Sequence, residues 1–273
     1  MFCYQCEQNS KGACNTNVGV CGKDEKTAIM QDILLFAAKG LAWCATELST
    51  KGVQNKKYDI FVMEALFTTV TNVSFDYLRI VEQIKTGSEL LEEAKAECLK
   101  VGLTIPKEEN HPVNFKFVPN PDDLMLMAGL VALETRFEEE GKAYTGIVEL
   151  IVYGLKGLAA YAHHAYVLGY EKQEIYARIN ATLHYILEKH TAEELLGKAL
   201  ETGELNMQVM ELLDSANTTS YGHPEPSPVR ITAKKGKAIL VSGHDLKDLE
   251  ELLKQTEGMG INIYTHGEML PAL

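Results

Sequence analysis

From Asp24 onward, apolar residues recur at helical spacing for almost two hundred positions. In DEKTAIMQDILLFAAKGLAWCATELSTKG, residues 24–52, Ile29, Ile33, Phe36, Gly40, Trp43 and Leu48 fall at three- to five-residue steps, which predicts one long helix stopped at Gly52. YDIFVMEALFTTVTN (58–72) predicts a second helix. SFDYLRIVEQIKTGSELLEEAKAECLKVG (74–102) predicts a third, started by Ser74 with Asp76 just inside the turn. The prolines and broken periodicity of TIPKEENHPVNFKFVPNP (104–121) mark a linker. Helices resume with DDLMLMAGLVALETRFEEEG (122–141) and continue to about Asn217.

The second half of this helical stretch repeats the first at an offset of 117 residues. DILLFAAKGLAWCATELSTKG (32–52) aligns without a gap on ELIVYGLKGLAAYAHHAYVLG (149–169), matching Lys39-Gly40-Leu41-Ala42 to Lys156-Gly157-Leu158-Ala159 and Gly52 to Gly169. The same offset pairs Leu66 with Leu183, Ser74 with Thr191, Asp76 with Glu193 and Leu78 with Leu195. A period this long with two copies is not a solenoid of short units. It predicts two similar three-helix bundles, with the small residues of each KGLA step allowing close approach of helices.

Near Tyr221 the pattern changes. YGHPEPSPVR holds three of the eight prolines and marks a boundary. KAILVSGHD, LKDLEELLKQTEGMG and INIYTHGEML then read as strand, amphipathic helix and strand. Such a βαβ unit is expected to be right-handed with parallel strands, and ligands sit at the carboxyl ends of its strands. Gly243-His244-Asp245 and His266-Gly267-Glu268 fall there. Two strands need further partners and cover, so residues 221–273 are expected to be the beginning of an α/β domain, truncated. The fold class is therefore mainly α: a cysteine loop (1–23), duplicated helical bundles (24–220), and the start of a Rossmann-like βαβ domain.

A net charge of −12 leaves nothing to neutralise phosphates and argues against nucleic acid. DILLFAAKGLAWCATEL is short and interrupted by Lys39, so no run is expected to span a membrane. Without a secretory signal pattern at the N-terminus, a cytoplasmic location is expected. Four of the six cysteines nevertheless crowd the first twenty-two positions, as Cys3-x2-Cys6-x7-Cys14-x6-Cys21. In a cytosolic chain such thiols point to metal or redox chemistry rather than to two disulfides. Zinc ribbons usually show two Cys-x2-Cys knuckles, and one is present here. An iron–sulfur cluster tolerates uneven spacing and leads on chemistry, with structural zinc still open. Cys44 and Cys98 lie in helical patterns and read as small buried hydrophobes. His163 and His164 read as surface or packing residues, and RFEEEG as a solvated helix end.

MFCYQCEQ…VCGK, LLDSANTTSYGHPE and above all ILVSGHDLKDLEELLKQTEG followed by YTHGEMLPA resemble the hybrid cluster (prismane) protein family, classed as hydroxylamine reductases. The resemblance covers essentially the whole chain. It implies that Cys3, Cys6, Cys14 and Cys21 hold a conventional cluster, a [4Fe-4S] cube at this compact spacing, with [2Fe-2S] as the alternative. It also implies a hybrid iron–sulfur–oxygen cluster, to which SGHDL and HGEML would contribute His244 and Glu268, with His266 as a neighbour or proton donor. Family members are about twice as long, and no cysteine follows Cys98. The implied function is reduction of hydroxylamine to ammonia, with nitric oxide as another substrate and an electron-donor protein as partner. The hybrid cluster and the activity are expected only of a complete protein. The alternative is a non-catalytic electron-transfer or interaction module carrying one cluster; a zinc-stabilised scaffold is the outsider.

Overall fold

The computed structural model of the chain describes residues 3–8, 10, 12–15, 18–71 and 73–273. Three helices come first: α1 (Glu25–Thr50), α2 (Lys56–Thr68) and α3 (Tyr77–Lys100). A single 3-10 turn, Pro112–Asn114, interrupts the linker. Short helices α4 (Pro121–Leu124), α5 (Ala128–Val131) and α6 (Leu133–Glu140) lead into α7 (Lys142–Val167), α8 (Gln173–Tyr185) and α9 (Ala192–Tyr221). The chain ends in β1 (Lys237–Val241), α10 (Leu246–Thr256) and β2 (Ile261–Thr265). Two compact units result, Met1–Ala160 with Lys172–Val209, and Tyr161–Glu171 with Met210–Leu273.

The repeat is written into the helix ends. Shifting α1 and α2 by 117 residues reproduces the bounds of α7 and α8. The turns agree bond for bond. The amides of Lys51, Gly52 and Val53 donate to Leu48, Ser49 and Leu48, and those of Leu168, Gly169 and Tyr170 donate to Ala165, Tyr166 and Ala165. Gly52 and Gly169 supply the left-handed residue this helix stop requires, at φ 75° and 86°. The third helices start differently. Asp76, not Ser74, caps α3 by accepting from the amides of Leu78 and Arg79. In the second copy Thr191 and Glu194 form a reciprocal capping box.

In the first unit α1 packs against α2, α3 and α8, and is buried on nearly every side: Met30, Ile33, Leu34, Ala37, Ala38, Leu41 and Ala42 are fully enclosed. Such a helix is hydrophobic all round because it is core. Cys44 and Cys98 are enclosed with it, as the sequence pattern predicts. On length and composition α1 and α7 do reach the threshold for crossing a membrane, contrary to the expectation from the shorter apolar run. Their most apolar windows are 72% and 50% buried within the protein, as core helices are. The stretch 122–141 is not one helix. Ala132 turns extended (ψ 140°) between α5 and α6, and Thr135 Oγ1 donates to Gly129 O across the break.

In the second unit β1 and β2 pair in parallel, with Lys237 opposite Ile261 and Val241 opposite Thr265. The amphipathic α10 lays Leu246 and Leu249 against Met269 and Ile263. Asp245 caps it by accepting from the amides of Lys247 and Asp248.

The two KGLA glycines are not equivalent. A Cβ on Gly40 would lie 2.4 Å from Pro112 O and 2.7 Å from Pro112 C, so this glycine admits the linker backbone rather than another helix. Gly157 has open space around its Cβ position. Gly40→Ala should therefore destabilise the protein by about 2 kcal/mol through overpacking. Gly157→Ala should raise stability by up to about 1 kcal/mol through helix propensity. Thermal melts of the two variants check the contrast, and equal shifts would refute it.

Candidate iron–sulfur site and strand-end carboxylate

The cysteine loop is closed twice by backbone. Cys3 and Cys14 exchange a pair of hydrogen bonds (Cys14 N to Cys3 O 2.7 Å, Cys3 N to Cys14 O 3.4 Å), and Val18 bridges to Asp24. Between them Gly19 N donates to Lys23 O and Gly22 N to Gly19 O, with Gly22 at φ 93°. Asp24 then caps α1 by accepting from Thr27 N at 2.7 Å, so the loop is fastened to the most buried helix of the unit.

Cys3, Cys6, Cys14 and Cys21 all line one small pocket, together with Gln5, Gly19, Lys23 and Thr71. None is in a disulfide; Cys14 is buried, Cys3 and Cys6 half-buried and Cys21 exposed. A Cβ at Gly19 would sit 3.5 Å from Cys14 Sγ and 3.8 Å from Cys21 Sγ, so the glycine leaves room between the two sulfurs. Lys23 is almost wholly buried beside them and donates to Gln31 Oε1 at 2.7 Å. Among the described residues no three His, Cys, Asp or Glu side chains converge closely enough for a single metal ion. The pocket brings four soft donors to one place. That donor set suits a cluster, whose irons each take a separate thiolate.

The second set of predicted residues lies in the second unit, at the carboxyl ends of the strands. His266 N donates to Val241 O, drawing the two loops together. Glu268 Oε2 accepts from Ser242 Oγ and from Gly243 N, both at 3.0 Å, which places the carboxylate on the loop of His244. The hydrogen bonds from Ser242 and Gly243 hold Glu268 below the usual glutamate range, and the nearby His244 and His266 act in the same direction. His266 Nδ1 accepts from Glu268 N and lies 3.7 Å from its carboxylate. His244 itself is exposed. These side chains by themselves do not make a site for a multi-iron cluster: His244, His266 and Glu268 are all exposed, and no thiol of the chain lies in this unit. His164, read as a packing residue, is largely buried in the same unit, 3.8 Å from Asp245.

Against this geometry, a family model described as Prismane/CO dehydrogenase family matches residues 1–273. The chain belongs to that family. A hydroxylamine reductase of Acidithiobacillus ferrooxidans is 45% identical over 280 residues, covering 100% of this chain and 50% of that protein. Those of Rhodospirillum rubrum and Syntrophobacter fumaroxidans are 43% and 47% identical, covering 100% and 99% of this chain and 50% of each relative. The chain thus spans about half the length of the curated relatives it matches. Membership in the prismane family implies iron–sulfur chemistry, in keeping with the four thiols of the pocket.

Sequence reasoning missed the charged groups beneath the cysteine loop. Asp32, Lys39, Arg136, Glu149 and Lys156 form one charged set in the first unit, with Glu149 and Lys156 buried and the other three half-buried. Lysine on an apolar helix reads as a snorkelling surface residue. The signal that could have found them is the repeat, which pairs Asp32 with Glu149 as well as Lys39 with Lys156.

Glu268→Ala should release the amide of Gly243, speeding its hydrogen exchange by about tenfold. Ala238 and Leu240, paired inside the strands, should be unaffected. Exchange measured by NMR on the two proteins checks this, and uniform acceleration would mean that the carboxylate holds the whole sheet.

Proposed function

We propose that this chain is the N-terminal portion of a hybrid-cluster-type oxidoreductase that reduces hydroxylamine to ammonia, with nitric oxide as a further substrate. The observation that carries the reading is the convergence of four unevenly spaced cysteines on one pocket in a prismane-family chain. Cys3, Cys6, Cys14 and Cys21 would hold a [4Fe-4S] cluster, or [2Fe-2S] in the alternative. When bound, that group supplies one-electron transfer, fed by an electron-donor protein in the cytoplasm. The chain's own residues enclose it: the Cys3–Cys14 bridge fixes two thiols, Gly19 keeps space between sulfurs, and α1 anchors the loop.

His244 and Glu268 are proposed as partial ligands of the active-site iron in the complete protein. Residues 24–220 would then form a duplicated helical domain and 221–273 the opening of an α/β domain. The exposed faces of the strand pair support this, since parallel sheets are normally covered on both sides. Leu240 is 77% exposed on β1. A second reading, an electron-transfer module without catalysis, is favoured by one observation: Cys44 and Cys98 are enclosed among α1 and α3 and supply no thiolate to the strand ends.

Anaerobically prepared chain should be brown, bind about four irons and show a cluster signal by electron paramagnetic resonance once reduced. Cys14→Ser should lose most of the iron, and Cys98→Ser should retain it. Colourless protein with one zinc per chain would overturn the reading.

Hydroxylamine reduction should be absent from the 273-residue chain and present in the complete protein. There His244→Ala or Glu268→Ala should abolish turnover while leaving the N-terminal cluster signal intact. Robust turnover by the chain alone would place the active site elsewhere.

A further inference from the structure

The repeat does more than align helices. At the 117-residue offset Asp32 falls on Glu149 and Lys39 on Lys156, so the first helix of each copy carries an acid followed seven residues later by a lysine. Seven residues are about two turns, which puts both groups on one face of the helix. In the fold the two faces meet. The ionisation of Asp32 responds to Lys156 and Glu149, and that of Lys39 to Glu149, Lys156 and Asp32. Glu149 and Lys156 are 6% and 5% exposed. Asp32 and Lys39, both half-buried, line an open pocket that reaches Tyr4 and also carries the exposed Glu108, Glu139, Glu140 and Lys189.

The set is unbalanced. Arg136 reaches Glu149 at 2.6 Å, the one contact ion pair of the group among the described residues. Lys156 Nζ has a backbone acceptor, Thr69 O at 3.4 Å, and lies 6.0 Å from the centre of the Tyr153 ring. Lys23 has the amide oxygen of Gln31. Four cations, Lys23, Lys39, Arg136 and Lys156, thus face two acids, Asp32 and Glu149. Desolvation pushes Asp32 up to about 7 against the pull of Lys156 and Arg136; it pushes Lys39 down to about 8, with Arg136 acting in the same direction, and lowers Lys156 as well. Buried cations in excess call for an anion within reach.

The cysteine pocket is where one would be. Lys23 lines that pocket. Thr71 lines it too, two residues beyond Thr69, whose carbonyl accepts from Lys156 Nζ. Tyr153 donates its hydroxyl to Tyr4 O at 3.4 Å, and the two rings lie 6.3 Å apart, so α7 is in contact with the residue next to Cys3. An iron–sulfur centre with four thiolates is anionic, and gains a further negative charge with each electron.

We propose that the lysines of the duplicated pairs, Lys156 on α7 and Lys39 on α1, join Lys23 and Arg136 as the counter-charge of the centre held by the four N-terminal cysteines and, tempered by Glu149 and Asp32, set its reduction potential. Lys156 and Lys39 favour the reduced state; Glu149 and Asp32 oppose it. The step involved is the uptake of one electron from an external reductant, with no bond made or broken. This rests on the iron–sulfur reading of the cysteines. The lysines act through the field at the centre, as positioning residues rather than ligands.

The test is a potentiometric titration of anaerobically loaded protein, reduced with dithionite through mediators and followed by electron paramagnetic resonance. Lys156→Met should shift the reduction equilibrium at least tenfold toward the oxidised form, about 59 mV for one electron. Lys39→Met should move it in the same direction. Glu149→Gln should move it the opposite way, and Lys156→Arg should restore the parent value. A merely structural role would alter iron content or melting temperature without this pattern of signs. Should Lys156→Met fail to fold, Lys39→Met and Glu149→Gln decide the matter. Loaded variants with unchanged midpoints, or with Lys→Met and Glu→Gln moving together, overturn the inference and leave the iron–sulfur reading standing. A parent chain that takes up no iron overturns both.

Discussion

The enclosure of α1 is the constraint on which the first unit depends. A helix buried on nearly every side has no solvent face on which polar groups can rest, so each polar atom it carries must find a partner. Those partners are what fix the rest. Asp24 at its start anchors the cysteine loop. Gln31 reaches Ser74 O and, more distantly, Thr68 O, tying down the α2–α3 turn, and Thr27 Oγ1 donates to Phe75 O. Gly40 receives the linker at Pro112. Trp43 stacks on His184, which also meets Glu47, so α8 of the second copy closes on the first. Asp32 and Lys39 lie on its least-buried face, with Ile29, Phe36 and Trp43, and line a pocket they share with Tyr4 and Arg136.

What the chain's text discloses follows from how local each determinant is. Helix ends are set by caps and stops within a few residues, so the repeat is legible in Gly52 and Gly169 and reappears in their turns bond for bond. The cap of α3 is less so, because Ser74 and Asp76 are both competent and geometry chooses between them. The break at Ala132 leaves no trace in composition: alanine is the best helix former, yet it turns extended there. The cysteines were visible as a set because thiols are scarce. The buried lysines were not, because the same residue type serves surfaces nearly everywhere else.

Duplication explains which features differ between copies. α1 and α7 began as equivalents, yet the first is central and the second shares its length between two units. The glycine of the KGLA step remains sterically necessary where the linker crosses at Pro112, and has space around it at Gly157. The acid–lysine pair is retained in both, although burial of charge is costly wherever it is uncompensated. A glycine whose purpose has lapsed costs a helix little. A buried lysine whose purpose had lapsed would cost far more, so its presence in both copies asks for a reason in the fold that a packing role does not supply.

The two candidate sites are held by different physics. The cysteine loop depends on backbone closure and on a buried helix, and its geometry follows from the core of the first unit. Glu268 depends on two hydrogen bonds at the edge of a two-stranded sheet, where Ile231 is 93% and Leu240 77% exposed. Parallel strands are rarely stable with their faces open. The cysteine loop is therefore already shaped by contacts this chain supplies, whereas the strand-end carboxylate is oriented locally by Ser242 and Gly243 before any further cover is in place. A carboxylate held in this way keeps its direction for as long as His266 N and Val241 O keep the two loops joined.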